Sequence, residues 1–261
     1  MIRLAVLGPS GRMGRRVIEL AAGREDVQVH AAIDRPDSPL IGQVLDDGVV
    51  VTANLETGLA GCDVYIDFTT PESSAAAARA ARGAGVAAVV GTTGLGPAAL
   101  SELDRLSERA PVLVAANFSL GVNLVLVLAE IAARALGPDF DFEVVELHHR
   151  HKRDAPSGTA LALAQALATG RGQNASEVVC TARAGEVGAR PPGEIGVLAV
   201  RGGEIIGEHT AFLIGDSERI EISHRAASRD LFASGALRAS LWLAGRPPGR
   251  YAMRDVLGLQ A

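Results

Sequence analysis

The chain has 261 residues, 48% of them hydrophobic, with 30 glycines and a formal net charge of −5, enough to bury a full core and to form two domains. The mild acidity argues against nucleic acid as the main partner, since the only notable basic run is His148 to Arg153. Cys62 and Cys180 stand far apart and outside any CxxC pattern, which suggests neither a disulfide framework nor a zinc ribbon and fits a reduced cytoplasmic setting.

Met1-Ile2-Arg3 runs straight into a strand pattern, Ile2 to Leu7, with no secretory signal pattern. The glycine turn Gly8-Pro9-Ser10-Gly11-Arg12-Met13-Gly14 follows, and then the helical pattern Val17, Ile18, Leu20, Ala21. Glycines there permit a tight turn and a close backbone approach, so that the helix start can meet a pyrophosphate. The spacing departs from GxGxxG, with Pro9 in place of the first glycine of that pattern. A second strand, Val27 to Ile33, ends at Asp34, whose carboxylate could accept from the adenosine ribose hydroxyls. Arg35 beside it could pair with a 2'-phosphate, whereas Asp34 favours a free hydroxyl, so NADH and NADPH both remain open.

Strands are expected at Val49 to Thr52, Val64 to Phe68, Val86 to Val90 and Val112 to Ala116, alternating with Ala-rich helices such as Glu72 to Arg82 and Ala98 to Arg109. That alternation predicts a Rossmann-like, doubly wound parallel sheet. Gly91-Thr92-Thr93-Gly94 and Ala115-Ala116-Asn117-Phe118-Ser119 fall at strand C-terminal ends, where such sheets bind ligands. Their plain alternative is a turn and a cap. The apolar helix Leu120 to Leu136 contains Asn123, Glu130 and Arg134, which speaks against a membrane crossing.

The densest chemistry lies between Glu146 and Ala160, after the strand-like run Phe142 to Val145. His148, His149 and His151 can hold or release a proton near neutral pH. Lys152 adds a movable ammonium. Ser157, Gly158 and Thr159 open a helix, Ala160 to Ala168, whose first N–H groups would face an incoming carboxylate. A solvated basic loop before an ordinary N-cap is the plain alternative. Metal ligation ranks last, because adjacent imidazoles on a strand point to opposite faces and no cysteine completes a set.

Beyond it, Glu194 to Arg201, Ile205 to Ile214 and Arg219 to His224 read as strands of a mostly antiparallel sheet, joined by hairpin turns at Gly202-Gly203 and Gly215-Asp216. His209 and His224 within them read as structural histidines. Arg229 to Gly245 is expected to be a helix and Tyr251 to Leu259 a short final segment.

The string Glu146, His148, His149, Lys152, Asp154, Ala155, Pro156, Ser157, Gly158, Thr159, Ala160 closely resembles the signature of the 4-hydroxy-tetrahydrodipicolinate reductase family, long called dihydrodipicolinate reductase. Gly8 to Met13, Phe68 to Pro71, Gly91 to Gly94 and Ala115 to Phe118 resemble its cofactor loops, in the family's order. Gly207 to Thr210, Ser228-Arg229 and Arg254 to Leu257 extend the likeness over nearly the whole chain. Nothing distinctive carries over between Asp37 and Thr57, and Thr69 and Thr70 bring no charge to their loop.

The resemblance implies NAD(P)H-dependent reduction of a cyclic imine dicarboxylate in the diaminopimelate route to lysine. It makes His148 the general acid, and Lys152 a second donor or the cation that holds a carboxylate. His149, Ser157, Gly158 and Thr159 would bind the carboxylates, with Arg229 lining the cleft. It also implies a dinucleotide-binding domain over residues 1–119 joined by 229–261, an α+β substrate-binding and oligomerisation domain over 120–228, and a homotetramer. An amino-acid dehydrogenase of similar plan, or a nicotinamide-binding sensor, would explain the first half but not the Glu146 to Ala160 stretch.

Overall fold

The computed structural model describes residues 1–45 and 48–259, and the chain divides into two compact units. Among the described residues the first comprises Met1–Ser119 together with 230–259, and the second Leu120–Arg229.

In chain order the first unit contains β1 (Ile2–Leu7), α1 (Arg12–Ala21), β2 (Val27–Ile33), β3 (Val51–Thr52), α2 (Leu55–Leu59), β4 (Val64–Asp67), α3 (Pro71–Ala84), β5 (Ala87–Val90), α4 (Pro97–Ser107) and β6 (Pro111–Val114). β4 and β5 are buried at every position, as befits parallel strands covered on both faces. Each Val, Ile or Leu so buried contributes roughly 1.5–3 kcal/mol. All pairings are parallel and the strand order is β3-β2-β1-β4-β5-β6, the doubly wound arrangement expected. Its order reverses between β1 and β4, which opens a crevice at their C-terminal ends. α3 starts cleanly because Thr70 caps the N–H of Ser73 and Pro71 sits in the first turn, and it stops at Gly85 in the left-handed conformation.

The second unit holds α5 (Leu120–Leu136), β7 (Asp141–His148), α6 (Gly158–Arg171), α7 (Ala175–Val178), β8 (Val179–Cys180), β9 (Ile195–Arg201), β10 (Glu208–Ile214) and β11 (Arg219–Arg225). Strict alternation along β7 buries Phe142, Val144, Glu146 and His148 on one face. That face joins Ile195, Val197, Ala211 and Leu213 in a core covered by Val125, Ala129 and Ala133 of α5 and Leu163 and Leu167 of α6. The helical run Leu120–Asp139, which contains α5, is long and apolar enough by length and composition to cross a membrane, while these three residues of α5 pack in that core.

The sheet is mixed, in the order β11-β10-β7-β9-β8. β10 and β11 form the hairpin expected at Gly215-Asp216, closed by Gly215 N–H on the Glu218 carbonyl. The expected hairpin at Gly202-Gly203 is a correction. β9 and β10 do not pair, because β7 lies between them, parallel to β9 and antiparallel to β10. Gly202 N–H bonds to His148 O and Arg150 N–H to Gly203 O, so this glycine pair carries the chain past the end of β7.

The chain then returns to the first unit with α8 (Asp230–Leu243), β12 (Gly249–Tyr251) and α9 (Met253–Val256). β12 adds a seventh parallel strand beside β6. The Arg16 guanidinium forks the Asp230 carboxylate at 2.6 and 2.7 Å, tying α8 to α1.

Candidate active site

In the first unit, Gly8 adopts φ +70° after β1 and its N–H bonds to Ile33 O at the end of β2. α1 begins with Gly11 as N-cap and has no side-chain cap bond, so its first N–H groups remain available to an anion. Gly14 must be glycine, since a Cβ there would come within 2.2 Å of Gly8 O. The Asp34 carboxylate accepts from Ser10 N–H at 3.2 Å, the Ser38 hydroxyl at 2.8 Å and Arg35 N–H at 2.9 Å. Burial would raise its pKa, but these bonds hold it below the usual carboxylate value.

A cleft of about 440 Å³ opens here, lined among others by Gly8, Ser10, Gly11, Asp34, Arg35 and Leu55. Its wall includes Ala53, Phe68, Thr69, Thr70, Ser73 and Ala76, an apolar floor with hydroxyl edges. The glycine approach, the uncapped helix start and the acid at the second strand fit a dinucleotide. Of the other expected cofactor residues, Pro9 is buried, Arg12 exposed and Met13 half-buried.

The two later loops behave differently. Gly91 leaves room for the Phe68 ring, which a Cβ at 91 would strike at 2.0 Å. The Thr92 hydroxyl is consumed inside the protein, donating to Asp67 and accepting from Thr69 N–H, while Thr93 is exposed. Phe118 is 1% exposed and stacks edge-on against Phe68, so its side chain serves the core. Ala115 and Asn117 are half-buried and Ala116 is exposed on the same stretch.

In the second unit the buried polar face of β7 meets the start of α6. Glu146 is wholly buried. Its Oε2 lies 2.5 Å from His148 Nδ1, and its Oε1 accepts Ser157 N–H at 3.0 Å. Arg201, at the end of β9, forks both Glu146 oxygens at 2.8 Å and also donates to Asp154 O. Burial pushes the Glu146 pKa up, but Arg201, His148 and the Ser157 N–H bring it below the ordinary value. His148 moves down, chiefly from burial and against the pull of Glu146. Ser157 caps α6 through Ala160 N–H, and its Oγ lies 3.0 Å from His209 Nε2. His209 packs edge-on against His148 with centroids 5.1 Å apart, and burial pushes its pKa down to about 4.

Around this cluster, Lys152 pairs with Asp154 at 2.9 Å, and the His149 ring has a buried Nδ1 without a hydrogen-bond partner among the described residues. The side of α6 at Gly158 is open, since a Cβ there would meet nothing within 4 Å. Thr159 follows in the first turn, half-buried. His151 is exposed, and Arg229 is exposed in the turn before α8. Among the described residues, no group of three or more His, Cys, Asp or Glu is placed to hold a metal ion.

Residues 2–118 match the family profile described as dihydrodipicolinate reductase, N-terminus, and residues 121–257 match dihydrodipicolinate reductase, C-terminus. The chain belongs to the dihydrodipicolinate reductase family. A relative named 4-hydroxy-tetrahydrodipicolinate reductase, from Alkalilimnicola ehrlichii, is 48% identical over 98% of this chain and 99% of its own length. One of the same name from Acinetobacter baumannii is 46% identical over 98% and 96%. The solved dipicolinate-bound dihydrodipicolinate reductase from Paenisporosarcina sp. TG-14 superposes with a TM-score of 0.80 at 26% identity, covering 98% of each chain. A DAP dehydrogenase from C. glutamicum, 16% identical with a TM-score of 0.55, shares the fold alone.

Within this reductase family member, sequence reasoning singled out His148, Ser157 and Asp34 but gave no role to Glu146, Arg201 or Asp67, and it read His209 as structural. The alternation Phe142, Val144, Glu146, His148 was a usable signal, because it puts the acid and the imidazole on the apolar face of one strand. For Arg201 there was none, since it meets Glu146 across 55 positions.

Proposed function

We propose that this member of the family reduces 4-hydroxy-tetrahydrodipicolinate, by way of dihydrodipicolinate, to tetrahydrodipicolinate in the diaminopimelate route to lysine. The observation that carries the reading is the buried Glu146–His148 pair beside the start of α6, which sets a proton donor next to an anion cradle. The overall change is loss of water and addition of a hydride and a proton. NADH or NADPH, when bound, supplies the hydride.

The chain's own residues do the rest. Gly8 to Met13 and the start of α1 hold the pyrophosphate, and Asp34 takes the adenosine ribose, with Arg35 beside it for a 2'-phosphate. The loops Gly91 to Thr93 and Ala115 to Phe118 serve the nicotinamide end, through backbone groups at Thr92 and Phe118, whose side chains are engaged internally. In the second unit His148 gives its proton to the charge that builds on the ring as hydride arrives. Lys152, released from Asp154, holds a substrate carboxylate and stabilises that charge. His149 and the N–H groups of Gly158 and Thr159 bind the carboxylates, with Ser157 holding that helix start through its cap and its contact to His209, and with Arg229 at the rim. Dipicolinate, carried by the Paenisporosarcina reductase, is a flat ring with two carboxylates, the shape such a cradle suits.

The same reading takes the first unit as the dinucleotide-binding domain and the second as the substrate-binding and oligomerisation domain. A homotetramer is supported by exposed Leu198 and Val200 on β9 and Ile220 on β11. A cytoplasmic location is supported by two unpaired cysteines.

The test is a coupled assay that generates the substrate from pyruvate and aspartate semialdehyde with the preceding synthase and follows NADH and NADPH oxidation separately. Consumption that needs both proteins supports the reading. Cofactor binding without consumption would overturn it. Sedimentation equilibrium addresses the assembly, and a monomer at micromolar concentration would remove the tetramer.

A further inference from the structure

Two side chains run in series behind the proton donor. Arg201 presents two guanidinium nitrogens to the two oxygens of Glu146, each at 2.8 Å. Glu146 then presents Oε2 to His148 Nδ1 at 2.5 Å and Oε1 to Ser157 N–H at 3.0 Å. A fully buried carboxylate is costly unless each oxygen is paired. Here four contacts pair it, and two of them lead straight to the acid and to the helix start. The bidentate fork also fixes the plane of the carboxylate, which a single contact would leave free to rotate.

We propose that Glu146, clamped by Arg201, is the positioning residue of this site: it keeps the proton on His148 Nδ1, makes Nε2 the nitrogen that gives its proton to substrate, and anchors the start of α6 with its other oxygen. The inference rests on the reductase reading and deepens it.

Imidazole chemistry supplies the argument. In the protonated ring both nitrogens carry hydrogen, and in the neutral ring one does. A carboxylate is acceptor-only, so it holds Nδ1 as the donor in either state. When the ring acts, the Nε2–H bond breaks, its electron pair stays on the imidazole, and the proton goes to the ring anion that the hydride creates. The imidazole is left neutral with Nδ1–H still on Glu146, and water returns a proton to Nε2 for the next turnover. The opposite neutral tautomer would set a lone pair against a carboxylate.

The charge around the ring is set from several elements. Burial favours the neutral ring, Glu146 on β7 opposes it, and Lys152 on the following loop and Arg201 on β9 reinforce burial. His209 on β10 faces it edge-on. Glu146 is therefore the one group named here that keeps His148 chargeable.

The experiment uses the full chain with ¹⁵N- and ¹³C-labelled histidine, His148 being assigned by its loss in His148→Gln. Nitrogen shifts of the neutral ring should show Nδ1 protonated and Nε2 bare. A dominant Nε2–H tautomer would overturn the proposal without any variant. In Glu146→Gln the protonation midpoint of His148 should fall by about one pH unit. The descending limb of the kcat profile should move with it, and kcat at neutral pH should drop about 10- to 100-fold while KM changes less. An unmoved midpoint overturns the proposal. Should Glu146→Gln not fold, Arg201→Lys keeps the charge and loses the fork. Its kcat should drop several-fold with a second neutral tautomer in the spectrum, and wild-type values for both would equally count against the clamp. Wild-type turnover in the coupled assay judges the reductase reading separately, since the resonances need no substrate.

Discussion

The Thr92 hydroxyl, just beyond β5, donates to the carboxylate of Asp67 at the end of β4 over 3.1 Å. That carboxylate has no solvent exposure and also accepts from Thr69 N–H at 2.8 Å, Thr69 Oγ1 at 2.6 Å and Ser74 Oγ at 2.5 Å. One acid thus pins two loops at the mouth of the parallel sheet and the first turn of α3. Asp67→Ala leaves these donors buried without an acceptor, and we expect a loss of about 2–4 kcal/mol in urea unfolding. NADH affinity should weaken with it, because Thr69 lines the cleft proposed to hold the cofactor. Unchanged NADH affinity in a folded Asp67→Ala protein would show that these loops hold their shape without the acid.

His148→Gln removes the proposed proton donor and retains a polar side chain. Turnover should fall about 10²- to 10⁴-fold, with NADH affinity, measured by fluorescence titration, unchanged. Gly207→Ala is a finer probe of the same atom, because a Cβ at 207 would lie 2.9 Å from His148 Nε2. It should cut turnover while leaving the Nδ1 contact to Glu146 in place. Wild-type turnover in both variants would remove His148 from the chemistry.

Acid should destabilise the protein through His209. Burial holds its folded pKa at about 4, against about 6.5 in an unfolded chain. The unfolded state therefore binds a proton over that interval while the folded state does not. The stability contribution is whole above about pH 6.5 and is lost as pH falls towards 4. Urea midpoints at pH 7.5 and 5 should differ by on the order of 2 kcal/mol in stability, and His209→Asn should flatten part of that slope. A variant with the full wild-type slope would assign the loss to other groups.

Arg35 lies beside Asp34 on the cleft proposed for the cofactor, with its guanidinium 3.1 Å from exposed Asp37. Arg35→Ala should raise the KM for NADPH roughly fivefold and leave that for NADH nearly unchanged, the size of one exposed charge contact. Equal effects on both cofactors would place Arg35 outside the 2'-phosphate site.

What the sequence made legible was what neighbouring residues decide among themselves. Gly8, Gly11 and Asp34 announce the turn, the helix start and the end of the second strand, because each acts within a few positions of itself. Ser157 announces its cap for the same reason. Partners across the sheet stayed hidden. Arg201 reaches Glu146 only because β9 lies beside β7 in parallel register, His148 opposite Arg201. Gly202-Gly203 looks like a hairpin turn locally, and burial of β7 between β9 and β10 overrides that preference. Ala53 and Leu55 had no motif to reveal them, since an apolar wall for a ligand reads as ordinary core.

The path of the chain has a consequence during synthesis. The first unit lacks α8, β12 and α9 until residues 230–256 leave the ribosome, and α8 packs on α1, β4, β5 and β6. The second unit is fully translated at Arg229, before that return begins. The half emitted first is thus the half finished last. While translation continues, β6 is an open edge and the floor beneath α8 is bare apolar surface, a window in which a nascent chain depends on chaperones or on speed.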